Sequence, residues 1–169
     1  GDTLVLEQMM GVYSENDLEN PRKEAVKLVS AAAEEGYDSL YETHKTLWEC
    51  MWDTYSMKID STDDAQGLLN YNFYHNIIAT PAHTDHLPIG ARGLSCQAYQ
   101  GAAFWDQEIF NLPMFLDTDP GVARNLLVYR YKTLDGARRK AKRLGYRGAF
   151  YAWISGDTGD ELCPDYFFK

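Results

Sequence analysis

At 169 residues the chain is long enough to bury a core in one domain, so its size demands no disulfide, metal or partner. Apolar residues make up 45%, charged residues 24% and aromatics 14%, which excludes a disordered or collagen-like polymer. A net charge of −9 repels phosphate backbones and sets nucleic acid aside as a partner. Cys50, Cys96 and Cys163 lie far apart, form no C-x-x-C pair and cannot all pair within one chain, the pattern of free thiols in a reducing, cytoplasmic compartment. No stretch approaches the roughly eighteen apolar residues of a membrane span. Gly1-Asp2-Thr3 also lacks the basic and apolar halves of a signal peptide, so neither membrane insertion nor export is expected.

Thr3 to Tyr13 is short and partly alternating, and the polar run Ser14-Glu15-Asn16-Asp17 follows, so the stretch reads as an extended connector leaving a turn. Asn20-Pro21 then offers a cap and a first-turn proline. Ala25, Leu28, Val29, Ala32 and Ala33 recur on one helical face until Gly36. Asp38 caps a longer helix whose stripe carries Leu40, Tyr41, His44, Leu47, Trp48, Met51, Trp52 and Tyr55. Ser61 to Asp64 begins a third helix, on which Leu68, Leu69, Tyr71, Asn72, His75 and Ile78 mix polar and apolar residues on the inward face, as the wall of a cleft or a hydrogen-bonded core would.

Thr80 to Tyr99 holds prolines and glycines without helical period, a connection long enough to suggest a loop at a site. Helix resumes from Asp106 to Leu116 despite Pro113, again from Asp119-Pro120 to about Tyr131, and from Leu134 to Leu144, where Gly145 stops it. The tail from Gly148 is loop-like. No strand signal compares with these helices after Tyr13, so the chain reads as all-α, built from helix pairs. The basic run Arg138-Arg139-Lys140 with Lys142 and Arg143 is interrupted by apolar residues at helical spacing and reads as a solvated face.

His83-x-x-His86 with Asp85 between them brings donor atoms together, but no second ligand pair stands at a recognisable spacing, so a polar loop rather than a metal site is expected. No G-x-S-x-G elbow, P-loop or dinucleotide fingerprint occurs. The stretch richest in chemistry is Phe104-Trp105-Asp106-Gln107-Glu108. Aromatic rings beside an acid and an amide suit a sugar, whose C–H faces pack on Trp and whose adjacent hydroxyls donate to a carboxylate. On residue types alone Asp106 serves equally as a helix cap, and Trp105 as core.

From Ile89 to Glu161 the chain resembles the central catalytic domain of glycoside hydrolase family 65. The resemblance rests on Gly93-Leu94-Ser95, Tyr99-x-Gly101, Phe104-Trp105-Asp106-x-Glu108-Ile109-Phe110, Leu112-Pro113, Ala123-Arg124-Asn125-Leu126-Leu127, Tyr129-Arg130-Tyr131, Thr133-Leu134-x-Gly136-Ala137 and Leu144-Gly145-Tyr146-x-Gly148-Ala149. It implies that residues 1–20 are the last strand and linker of an N-terminal β-sandwich. Residues 21–169 would then be the first half of an (α/α)6 barrel, about half of its helices. It further implies an inverting enzyme acting on α-linked gluco-disaccharides, with water or inorganic phosphate as nucleophile and no other cofactor.

In that family Trp105 and Asp106, beside Phe104, would hold the non-reducing glucose, and Trp153 with Ser155, Asp157 and Thr158 matches a second sugar-site segment. Two positions depart from the family pattern: Ala102 stands where many members place a histidine, and Ile154 where a glutamate is usual. The family's general acid lies downstream of Lys169, and Cys163-Pro164-Asp165-Tyr166 stands too early to be it. No catalytic residue is therefore expected in this chain, and no turnover from it alone. Its exposed apolar helix faces would be covered by a second half or by self-association. The alternative is a non-catalytic carbohydrate-binding or assembly module derived from such an enzyme.

Overall fold

Helices begin and end where capping residues and prolines stand, and they dominate the computed structural model of the chain, which describes residues 1–61, 63–94 and 98–164. Ser95 of the Gly-Leu-Ser motif, Cys96 and the Asp165-Tyr166 segment lie outside the described residues. The chain divides into two units, residues 1–54 and residues 55–169.

In the first unit, α1 spans Pro21–Glu35, with proline in its first turn and Gly36, at φ 83°, ending it. The second helix, α2, spans Tyr37–Tyr55, so Asp38 lies inside its first turn rather than capping it. Ring pairs four residues apart run along α2: Tyr37 and Tyr41 at 6.1 Å, His44 and Trp48 at 6.2 Å, Trp48 and Trp52 at 5.8 Å. No residue between 1 and 54 is buried, and Trp48 and Trp52 are only half-covered. Residues 3–13 form no strand, because a strand needs a ladder partner and no described residue pairs with them.

The second unit holds the core. Here α3 spans Ala65–Ala79, α4 Leu112–Thr118, α5 Pro120–Lys132 and α6 Leu134–Arg143. Helix α4 packs on α5, and α5 on α6. Phe115, Leu126 and Tyr129 are almost fully enclosed, each contributing roughly 1.5–3 kcal/mol of apolar burial. Asp119 caps α5 by accepting from the N–H groups of Gly121 at 3.1 Å and Val122 at 3.2 Å, and its other oxygen accepts from the Tyr55 hydroxyl at 2.9 Å. Burial, that hydrogen bond and the nearby carboxylate push the Tyr55 hydroxyl up to about 12, so it stays a donor.

Two features depart from the sequence reading. A short antiparallel ribbon joins β1 (Ala103–Phe104) to β2 (Ile154–Ser155), with Ala103 opposite Ser155 and Phe104 opposite Ile154. Strands of two residues carry no alternation to detect. The basic run is also not wholly solvated: Lys140 shares the inward face of α6 with Ala137 and Ala141, is buried, and pairs with Glu161 at 2.7 Å. No helix among the described residues is long and apolar enough to cross a membrane.

Candidate functional site

Gly90 and Gly101 approach so closely that a Cβ on Gly90 would stand 3.4 Å from the Gly101 Cα, which draws the long loop after α3 against the start of β1. Just before β1, Tyr99 and Gln100 adopt positive φ values of 65° and 50°, a conformation that costs a residue with a side chain about 1 kcal/mol or more. The bend brings the Tyr99 ring edge-on to Phe104 at 4.9 Å, and the Arg92 guanidinium stands 5.9 Å from the Tyr99 ring centre.

After β1 the chain passes Trp105 and Asp106 and enters a π-helical turn, Gln107–Asn111, which leads into α4. Such turns insert an extra residue into a helix and re-aim the side chains beside it. Asp106 precedes the turn in helical conformation and makes no side-chain capping bond. Its carboxylate is therefore not consumed as a helix cap, and it is exposed on the wall of a hollow of about 420 Å³. Phe104, Gln107, Asn111, Asn76, His75 and Arg92 share that wall with it. The Asn111 amide donates to the Asn76 side-chain oxygen, joining the π turn to α3. The hollow thus offers an anionic acceptor, a guanidinium, carboxamides and one aromatic edge, a set that matches a neutral, hydroxyl-rich ligand.

The neighbouring residues are pinned. Gln107 is buried; its oxygen accepts from the Ile89 N–H at 2.7 Å and its amide donates to Glu108 at 2.6 Å. Arg130 of α5 is buried and forks onto both Glu108 oxygens at 2.7 and 2.8 Å, while also donating to the Phe104 carbonyl at 2.7 Å and to Ser155 Oγ at 3.2 Å.

Trp105 and Asp106, adjacent in sequence, face different spaces. The Trp105 ring meets Trp153 edge-on at 5.2 Å and Phe150 at 6.3 Å, and its indole nitrogen is enclosed with no hydrogen-bond partner among the described residues. It borders a second, largely apolar hollow of about 520 Å³ with Glu108, Ile109, Leu127, Arg130, Tyr131 and Tyr151. Trp153 is partly exposed and meets Phe104 edge-on at 5.8 Å, so the structure joins Phe104, Trp105 and Trp153 in one aromatic cluster, of which only Phe104 shares the first hollow with Asp106. Asp157 is exposed in the turn after β2 and lines neither hollow. Ala102 is buried immediately before β1, and Ile154 pairs with Phe104, so one departing position leads into the ribbon and the other lies in it.

The loop His83–His86 has other engagements: Asp85 accepts from Lys132 and stands 3.4 Å from the His86 ring, and the Lys132 ammonium beside it holds the Asp85 carboxyl below its ordinary value. Sequence reasoning flagged Asn72 and His75 through the mixed face of α3, and Gln107 as the amide beside Asp106, but passed over Arg92, Asn76 and Asn111 as parts of the site. Only an arginine between two tyrosines, Tyr129-Arg130-Tyr131, hinted at the buried fork.

The sequence profile of the glycosyl hydrolase family 65 central catalytic domain matches residues 70–168, and that of the family's N-terminal domain matches residues 1–51. The chain belongs to glycosyl hydrolase family 65. Among curated relatives, the 1,2-alpha-glucosylglycerol phosphorylase of Bacillus selenitireducens is 57% identical over 169 residues, all of this chain and 22% of that protein. The nigerose phosphorylase of Lachnoclostridium phytofermentans is 46% identical over 155 residues, 92% of this chain and 21% of the relative. A solved structure titled "Putative kojibiose phosphorylase from human microbiome" superposes with a TM-score of 0.74 at 31% identity, covering 86% of this chain and 20% of its own. The chain therefore spans about a fifth of the length of the family 65 relatives it matches.

Proposed function

We propose that this chain is part of an inverting family 65 phosphorylase and supplies the wall that holds the glucosyl group of an α-linked glucoside, with glucosylglycerol as the first candidate. The observation that carries this reading is the 57% identity, along the whole chain, with a relative named as a 1,2-alpha-glucosylglycerol phosphorylase. The hollow's chemistry supports it: Asp106 accepts from adjacent hydroxyls, Asn76, Asn111 and Arg92 supply donors, and Phe104 offers a ring edge. Trp153 meets Phe104 edge-on and Trp105 meets Trp153, so the two indoles support the Phe104 ring without lining the first hollow, and Asp157 stands in the turn after β2 outside both hollows.

In the proposed reaction a carboxylic acid protonates the glycosidic oxygen while inorganic phosphate attacks the anomeric carbon from the opposite face. The C–O bond to the polyol breaks, the C–O bond to phosphate forms, and an α-glucoside becomes β-glucose 1-phosphate and free glycerol. This chain's share is to fix the glucosyl ring so that attack is in line. The acid, by the family resemblance, is supplied beyond residue 169. The helices would form about half of an (α/α)6 barrel, whose other half, or a second copy, covers the exposed apolar faces of α1 and α2.

The test is a transplant. Replacing the matching segment of the Bacillus selenitireducens relative with these 169 residues should preserve phosphate-dependent release of glucose 1-phosphate from glucosylglycerol, with kojibiose and nigerose cleaved more slowly. A folded transplant that cleaves none of the three, or that prefers nigerose, contradicts the proposal.

A further inference from the structure

Asp106 is free at its carboxylate and held on both sides along the chain, and one side chain does the holding. Arg130 grips the carbonyl of Phe104, two residues before Asp106, and the carboxylate of Glu108, two residues after it. Its third nitrogen reaches Ser155 Oγ on β2, so the ribbon is anchored at the same point. Gln107 extends the grip by linking Glu108 to the Ile89 N–H on the hollow's wall. Tyr129 and Tyr151 stand 5.6 and 5.8 Å from the guanidinium, and the Tyr151 hydroxyl donates to the Arg130 carbonyl at 3.1 Å, so the fork has little freedom of its own. Arg130 borders the second hollow and not the one that Asp106 lines, so its influence on a ligand of the first must pass through the backbone it holds.

We propose that Arg130, acting through Glu108 and the Phe104 carbonyl, is a positioning residue that sets where the Asp106 carboxylate stands in the hollow. The proposal rests on the glucosyl reading of that hollow for its consequence in affinity, but not for its geometric content. A planar fork is needed, because a lysine at 130 cannot hold Phe104 and both Glu108 oxygens at once. Glu108→Gln removes the charge that completes the fork but keeps a side-chain oxygen that can accept from Arg130, and because Arg130 is buried the variant is also expected to melt lower.

The experiment uses the 169-residue chain as wild type, Glu108→Gln, Arg130→Lys and Tyr55→Phe. Glucose is titrated while backbone amides are followed by NMR, well below each variant's melting temperature, and each variant is also crystallised without sugar. Glu108→Gln and Arg130→Lys should weaken glucose binding about tenfold, the worth of one charge-assisted contact. Tyr55→Phe, which loses only a remote hydrogen bond, should lower the melting temperature and leave affinity unchanged. In the sugar-free structures of the two site variants the Asp106 carboxylate should be displaced from the place it holds on the hollow's wall in the wild type.

A carboxylate that stays in place in both variants, or an affinity that follows the melting temperature across all of them, overturns the positioning role. Wild-type chain that takes up no glucose defeats the glucosyl reading instead, and the carboxylate's displacement then still decides whether Arg130 positions it.

Discussion

Lys140 carries its charge into the interior because Glu161 meets it there: both side chains are about 1% exposed. The ammonium also lies 3.8 Å from the Phe150 ring centre. Glu161 accepts from the N–H groups of Trp153, Ile154 and Cys163 as well, so the pair staples the segment after β2 beneath the aromatic cluster. Lys140→Met leaves a buried carboxylate unpaired and should cost about 3–5 kcal/mol in urea unfolding. Adding Glu161→Gln should recover part of that loss, since the orphaned charge is gone. Burial opposes ionisation of Glu161, but Lys140 and the three backbone N–H groups outweigh it and hold the carboxyl below its ordinary value. A depressed folded value means the stabilisation is complete above the ordinary glutamate range, near 4.5, and disappears as pH falls through the lower folded value. Melting temperature should therefore decline below that point in the wild type and decline less in the Lys140→Met/Glu161→Gln double variant. Residue types could not show this pair, because Lys140 and Glu161 lie 21 positions apart and Lys140 stands in a run of bases that looks solvated. Asp106 was legible as an acid beside aromatics, but not the opposed facing of Trp105, which depends on the ribbon and the π turn.

At the scale of elements, caps and periodicity located the helices well: α1, α3, α5 and α6 begin at Asn20-Pro21, near Asp64, at Asp119-Pro120 and after Thr133. The ribbon and the π turn carry no period and were not legible. The seam between α6 and the turn after β2 depends on glycine: a Cβ on Gly136 would fall 2.2 Å from the Gly159 carbonyl carbon, and one on Gly159, at φ 74°, 2.3 Å from the Thr133 oxygen. Gly136→Ala must push that turn away and break the Arg139–Asp160 pairing beside it, at 2.7 and 2.8 Å. A loss of about 1–3 kcal/mol in thermal or chemical unfolding is expected, the range for overpacking. Asp119→Ala removes the cap of α5 and the acceptor of the Tyr55 hydroxyl, and should cost roughly 1–2 kcal/mol. Amide exchange should accelerate first at Gly121 and Val122, whose N–H groups lose their acceptor.

The whole molecule divides its stability unevenly. Residues 55–164 contain every buried side chain among the described residues, whereas residues 1–54 contain none. Hydrogen exchange should therefore show α1 and most of α2 protected only weakly, with α5 and α6 the slowest to exchange. Strong protection of Trp48 and Trp52 in the isolated chain would show that their face is already covered. The central claim is that Asp106 and its amide neighbours, rather than the indole of Trp105, receive the glucosyl group. The most direct measurement is an NMR map of the chain titrated with glucosylglycerol. The first hollow is the site if the shifts gather on Asn76, Arg92, Asp106 and Asn111; shifts gathered on Trp105, Tyr131 and Tyr151, or scattered over neither hollow, would contradict it.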